Sequence, residues 1–278
     1  MLRLSDGVFT LLRDMIHDQC GLLFETNKRE LFEYKLAPRV AARGLGSFFD
    51  YYYFLREDPA AVHEWQLVLD ALTVQETFFW RESDALRVMV DTLLPGWVAA
   101  HPGSPLRIWC AACATGEEPL SIAIALSEAG WFARAPIELV ASDISQAALE
   151  QAQRGFYRER SFRSLPSALR NKYFTPANGG WQVEPSLHAR VRWARANVCS
   201  DAEVAPLGHA PFIFCRNLFI YFSRDAMRAT AERFARWMPA HGYLLLGIAE
   251  SLVRVTDAFE LQEIDRAFVY VKANKGAA

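Results

Sequence analysis

A chain of 278 residues, 52% hydrophobic and 22% charged, is long enough for one large domain or two smaller ones and can bury a sizeable core. Its net charge of −2 gives no general attraction to nucleic acid or acidic membranes, so no nucleic-acid partner is expected. No apolar run approaches the roughly 20 residues of a membrane helix, MLRLSDGVFT lacks the apolar centre of a signal peptide, and the five cysteines are odd in number and scattered, so a reduced, cytoplasmic protein not inserted in a membrane is expected.

The first quarter reads as helical. Val8, Leu11, Leu12, Met15 and Ile16, then Leu31, Phe32, Leu36 and Val40, recur three and four residues apart, the period of a buried helix face. Residues 1–72 are expected to form a small all-helical domain with no strand. Segment 28–43, KRELFEYKLAPRVAAR, carries five basic and two acidic residues. At about 100° per residue, Lys28, Lys35, Arg39 and Arg43 fall within a stripe about 80° wide. Such a stripe would steer an acidic partner; a solvated charged face is the plainer reading. Pro38 has no N–H to give and is expected to kink or end the helix.

Residues 73–105 read as a linker and connecting helix. From residue 106 the pattern changes: LRIWCAA, IELVAS, FIFCRN, YLLLGIA and AFVYVK alternate with helical stretches at roughly 117–129, 145–154 and 223–239. Strands alternating with helices predict an α/β fold, a parallel sheet covered on both faces, over residues 106–278. One segment, about 173–196, breaks the alternation. Its turn signal from Pro176 to Gly180 lies between short extended runs and predicts a β-hairpin excursion. Cys110 and Cys113 form a CxxC pair, but the six histidines offer no second ligand pair, so no metal is expected.

The stretch WCAACATGEEPLSIAIAL, Trp109 to Leu126, joins an apolar strand to a helix through small residues. Open parallel sheets bind ligands at such a turn. A phosphate at this helix start would meet the positive end of the dipole but also Glu117 and Glu118, which repel it. One glycine stands where a dinucleotide fingerprint has three. The glutamates either simply favour a helix start or mark a cofactor without phosphate and with a cationic part. S-adenosylmethionine, with a sulfonium, an amino group and a ribose, fits the second reading. The strand IELVASD ends in Asp143, placed to accept from ribose hydroxyls or to cap the helix that starts near Ser145.

LTVQETFFWRE (72–82), RIWCAACATGEEPLSIA (107–123), ASDISQAALEQAQRGFY (141–157) and FCRNLFIYF (214–222) occur in this order. Together they resemble the bacterial chemotaxis-receptor glutamate methyltransferases of the CheR type over nearly the whole chain. The resemblance implies a class I S-adenosylmethionine-dependent methyltransferase sheet, Rossmann-like, with a β-subdomain insertion and a helical N-terminal domain. It implies glutamate side chains on the cytoplasmic methylation helices of chemoreceptors as substrate and S-adenosylhomocysteine as product. Thr77 and Arg81 match cofactor-contacting positions of the first motif, and Gln75 stands where many members have Asn. Glu117 and Asp143 match the acidic contacts. Asn197 and Val198 match the adenine-side pair, and Asn217 and Leu218 the pair after the fourth strand. Trp80 replaces the usual Phe.

Esterifying a glutamate needs no general base, because the nucleophile is already ionised with a pKa of about 4.3. That agrees with a sequence lacking an obvious histidine dyad. Tyr221 is expected to line the chemistry and Arg81 to pair with the cofactor carboxylate. Arg216 would orient a carboxylate or make a structural ion pair. Lys35, Arg39 and Arg43 are the candidate substrate contacts, and a monomer is expected. Two other readings are a non-catalytic S-adenosylmethionine-binding module, with Gln75 and Trp80 as signs of drift, and a methyltransferase for another substrate.

Overall fold

The computed structural model describes residues 3–274. Four helices come first, α1 (Asp6–Cys20), α2 (Arg29–Ala42), α3 (Phe48–Glu57) and α4 (Ala61–Leu72). The Ser5 hydroxyl accepts from the Val8 N–H at the start of α1, and Gly21 ends the helix in a left-handed turn. The buried face of α1 is Phe9, Leu12, Ile16 and Cys20. From α2 come Phe32, Leu36 and Val40, and Phe32 meets Phe9 edge-on at 5.3 Å. The helix does not end at Pro38: α2 runs on to Ala42. Proline there deprives the Tyr34 carbonyl of its helical partner, and Tyr34 is 79% exposed, on the solvent side of the helix.

Two members of the basic stripe, Arg39 and Arg43, turn inward. Arg39 Nη2 and Arg43 Nε donate to Glu64 Oε2 at 2.8 and 2.7 Å, and Arg39 Nε and the Tyr51 hydroxyl donate to Oε1 at 2.9 and 2.7 Å. Glu64, on α4, is fully buried. Burial opposes its charge, but the donors from Arg39, Tyr51 and Arg43 hold its carboxyl below the usual carboxylate range. Arg39 and Arg43 are therefore counter-ions inside the helical domain and not the free substrate contacts expected. Helical period alone cannot show that a second helix brings a carboxylate to the stripe.

The connecting segment holds α5 (Asp84–Val88), one π-helical turn at Met89–Leu93 and α6 (Leu94–Ala100). Beyond it the chain alternates: β1 (Leu106–Ala111), α7 (Glu117–Glu128), α8 (Trp131–Arg134), β2 (Ile137–Asp143) and α9 (Gln146–Arg154). An excursion follows with β3 (Phe156–Tyr157), α10 (Ser167–Tyr173), β4 (Phe174–Ala177), β5 (Gly180–Val183) and α11 (Pro185–His188). The main fold resumes with β6 (Val191–Arg195), α12 (Asp201–Gly208), β7 (Phe212–Phe214), α13 (Arg224–Trp237), β8 (Tyr243–Leu245), β9 (Phe259–Ile264) and β10 (Ala267–Lys272).

The large sheet has the order β6-β2-β1-β7-β8-β10-β9. Its first five strands are parallel, and β10 runs antiparallel to β8 and β9. Alternation along β1 shows why the strands read as unbroken apolar runs. Ile108 and Cys110 enter one core with the apolar face of α7. Trp109 and Ala111 enter the other with Phe234 of α13 and the four N-terminal helices. Both faces are covered, so neither needs polar residues. The helical domain shares one continuous core with the sheet.

The hairpin expected at about 173–196 is narrower. β4 and β5 form it, and Phe156–Tyr157 adds a third strand beside β5. Val191–Arg195 instead pairs parallel with β2 as an edge strand of the large sheet. The turn signal at 176–180 marks the hairpin correctly, but nothing local shows that the chain has left it by α11.

Glu64→Ala should lower folding stability by about 2–4 kcal/mol, near the low end for a broken buried pair, because Arg39 and Arg43 keep 24% and 32% exposure. Urea unfolding at neutral pH measures this. The folded carboxyl lies below its unfolded value, so its contribution is present above that unfolded value and is lost as pH falls through the folded one. The gap between the two proteins should therefore narrow below about pH 4.

Candidate active site

The strand order reverses at β1, with β2 and β6 on one side and β7 and β8 on the other. A crevice is expected at the carboxyl end of such a strand. The loop leaving β1 has left-handed backbone at Ala112, Ala114 and Gly116, with φ of 60°, 47° and 96°. At an alanine this conformation costs about 1–2 kcal/mol. Asp143, at the end of β2, holds it: Oδ2 accepts from the Ala114 N–H and Oδ1 from the Ser145 N–H, both at 2.8 Å. Burial pushes the Asp143 carboxyl up, and the N–H groups of Ser145 and Ala114 pull it back. Gly116 is required twice over, by its φ and because a Cβ there would lie 2.9 Å from both Ala152 and Trp193.

Two cavities meet at Ala112. A polar cleft of about 530 Å³ is lined by Thr77, Arg81, Ala112, Glu118, Arg216 and Asn217, among others. A slot of about 350 Å³ lies beside it, lined chiefly by Ala112, Ile144, Val198, Leu218 and Phe222 with one edge of Asn197. A third groove, with Leu31, Lys35 and Tyr221, shares Val74 with the cleft. Thr77, Arg81 and Asn217 thus stand in the cleft, Val198 and Leu218 in the slot, and Tyr221 in the adjoining groove. The segment carrying Thr77 and Arg81 is pinned by its backbone, with Phe79 N–H to Ser161 O at 2.8 Å and Trp80 N–H to Ser121 Oγ at 3.0 Å. The Phe79 ring is fully buried and packs on Tyr157, Phe162 and Phe174 of the excursion.

Other expected residues hold the protein to itself. Gln75 Nε2 donates to Ser145 Oγ at 3.0 Å. The Asn197 amide donates to Gln19 O at 2.8 Å and its Oδ1 accepts from the Cys199 N–H at 2.9 Å. Glu117 is buried and is not among the residues that line the cleft; the hydroxyls of Thr115 and Ser161 donate to it at 2.6 and 2.9 Å. Burial pushes its carboxyl up, against those two hydrogen bonds. Glu118, one residue on, lines the cleft, as does Glu76. Lys35 Nζ donates to Leu72 O and Thr73 O at 3.2 and 3.4 Å, and burial lowers its pKa.

Arg216, buried to 6% exposure, is the structural ion pair of its two expected alternatives. It donates to Glu118 at 2.6 Å, to Glu82 at 3.0 Å and to Arg81 O at 2.7 Å. Burial opposes its charge, and Glu118 and Glu82 more than offset that. Glu250 was not foreseen. Its carboxylate accepts from the N–H groups of Asn217, Phe219 and Gly247 at 2.7, 2.6 and 2.8 Å and of Ile220 at 3.3 Å. It fixes the loop after β7. The only local signal was a lone acid just past an apolar strand. Among the described residues no group of three or more His, Cys, Asp or Glu could hold a metal ion.

Two family models cover the chain. Residues 8–73 match "CheR methyltransferase, all-alpha domain" and residues 75–268 match "CheR methyltransferase, SAM binding domain". Chemotaxis protein methyltransferase 2 of Vibrio cholerae is 36% identical over 276 residues, 98% of this chain and 95% of that one. Chemotaxis protein methyltransferase 1 of Pseudomonas aeruginosa is 30% identical, covering 96% and 98% of the two chains. That of Klebsiella aerogenes is 32% identical, covering 94% and 89%.

Two substitutions separate the roles of the buried acids. Asp143→Asn turns an amide NH₂ toward a backbone N–H and should cost about 1–3 kcal/mol of folding stability. Glu117→Gln should cost less, since its hydroxyl partners can reorient. Burial raises the folded pKa of Glu117, so its charge weakens the fold as pH rises through that value. The stability of Glu117→Gln relative to wild type should therefore improve as pH rises above about 4. Urea unfolding across that range checks both.

Proposed function

The chain belongs to the CheR methyltransferase family, and from that premise we propose that it transfers a methyl group from S-adenosylmethionine to glutamate side chains of chemoreceptors. The product is a glutamate methyl ester, with S-adenosylhomocysteine released. The observation that carries this reading is the junction at Ala112 of a charged cleft with an apolar slot. The two compartments suit a cofactor with an amino-acid end and a flat base. In this reading Val198, Leu218 and Ile144 hold the adenine. Thr77, Arg81 and Glu118 hold the amino-acid end, and Asp143 presents the loop that passes the ribose. No described helix is long and apolar enough to cross a membrane. The protein is proposed to work as a cytoplasmic monomer on the methylation helices of receptors.

S-adenosylmethionine supplies an electrophilic methyl group on a sulfonium. The chain's own residues have to align a carboxylate and exclude water. No histidine lines the cleft, the slot or the groove. His17 and His188 bond to Ser223 and to Ala152 O, at 2.8 and 3.0 Å. In this reading the nucleophile is an ionised glutamate, which needs no general base. Phe78 lines the cleft and carries the guanidinium groups of Arg163 and Arg81 at 3.8 and 5.5 Å from its ring centre. Lys35 shares a groove with Lys28 and Tyr221, and with Tyr221 it is the proposed contact for the incoming carboxylate.

The test is incorporation of labelled methyl groups into receptors as base-labile esters, with calorimetry on S-adenosylmethionine and NAD. Tight NAD binding without S-adenosylmethionine binding would sink the cofactor assignment. Replacing each histidine in turn should leave turnover within about tenfold, short of the loss from removing a general base. A thousandfold loss in a histidine variant that still binds cofactor and receptor would show that the nucleophile is not a carboxylate. Tyr221→Phe should lower turnover more than cofactor affinity.

A further inference from the structure

The carboxyl-end edge of the sheet continues past the cofactor cleft. β8 ends at Leu245 beside β7, and β10, running the other way, begins at Ala267 on the same edge. Between them lies a groove of about 930 Å³ whose apolar members include Ile248, Leu261 and Phe268. Ile248 is 86% and Phe268 62% exposed. Large apolar side chains gathered in one groove and left in water mark a contact surface. The groove is joined to the cleft by its back wall. The Glu82 carboxylate accepts from the Ile248 N–H and, with the same oxygen, from Arg216. Glu250, also in that wall, holds Asn217 and the loop toward Tyr221.

The charge of the groove is also informative. Glu82 and Asp84 are paired, with Arg216 and Arg87, and Glu250 is filled by backbone N–H groups. Arg266 forms no ion pair among the described residues and stands at the β9–β10 turn with φ of 70°. Among the described residues the groove thus combines exposed apolar side chains and internally paired acids with one uncommitted cation, Arg266, beside a site proposed to receive a carboxylate from a larger chain.

Resting on the function proposed above, we infer that this groove seats the apolar face of the amphipathic helix that carries the methyl-accepting glutamate. The helix lies along the sheet edge from β10 toward β7. Its apolar stripe rests on Ile248 and Phe268, and a second acidic residue pairs with Arg266. The groove thereby selects an amphipathic acidic helix over a free glutamate or an unstructured acidic peptide.

The test uses the full chain and receptor-bearing membranes, with receptor binding measured by co-sedimentation and methylation separately. Ile248→Glu and Phe268→Glu lie in water and spare the core. Each should raise the KM for receptor by about tenfold or more and weaken co-sedimentation, as for a buried hot spot, with S-adenosylmethionine affinity within about twofold of wild type. Arg266→Glu should raise KM less. Native KM and binding in both glutamate variants would overturn the proposal. So would a wild-type dimer, seen by sedimentation, that Ile248→Glu dissolves, because a second copy would then own the groove. If wild type binds receptor but labels none, the functional reading fails, and loss of binding in the variants still supports the groove. If wild type neither binds nor labels, both fall.

Discussion

Asp143 has almost no water around it, yet both its oxygens are used. One takes the Ala114 N–H and the other the Ser145 N–H. Those bonds hold a loop with two alanines in left-handed backbone, a shape the chain would not keep unaided. Because the loop is held, Ala112 presents backbone to two cavities at once and α7 starts where it does. The small side chains between Trp109 and Gly116 matter for what they leave open, and Gly116 closes the turn against Ala152 and Trp193.

The same device appears on the other wall. Glu250 receives backbone N–H groups from both sides of the crossover between β7 and β8. Among the described residues neither carboxylate is paired with a cation, and burial raises both pKa values while the N–H donors oppose the rise. Between these two clamps the ionic partners Arg216, Glu118 and Glu82 form a bridge from the cleft to the segment carrying Arg81. Charge inside the site is thus largely balanced before any ligand arrives. That setting favours a ligand bearing both signs and disfavours a lone polyanion.

The alternating strands and helices after residue 106 were legible because both sheet faces are buried and the apolar runs are unbroken. β9 was missed for the opposite reason. It is an edge strand in which Phe259 alone is fully buried, so FELQEI reads as polar. β6 was placed in the excursion and not in the large sheet because its pairing partner, β2, lies before the excursion. In the site, the loop and Asp143 were legible from small residues and an acid at two strand ends. The division between Glu117 and Glu118 was not, because adjacent helical residues face about 100° apart and the sequence does not mark which side is the cleft. Glu64 and Glu250 stayed hidden for a shared reason: a lone acid reads as surface until its donors are located in space.

The bond from Glu250 to Asn217 spans 33 residues, and those from Asn197 to Gln19 and from His17 to Ser223 span 178 and 206. The four N-terminal helices need no such partner for their own clamp, since Glu64 lies 25 and 21 residues from Arg39 and Arg43. A nascent chain can therefore close the helical bundle early, while β1 waits about a hundred residues for β7. Glu250, which holds the Asn217 N–H at the wall of the cleft, follows it by 33 residues, so that wall is the last part of the cleft to be fixed as the chain is made.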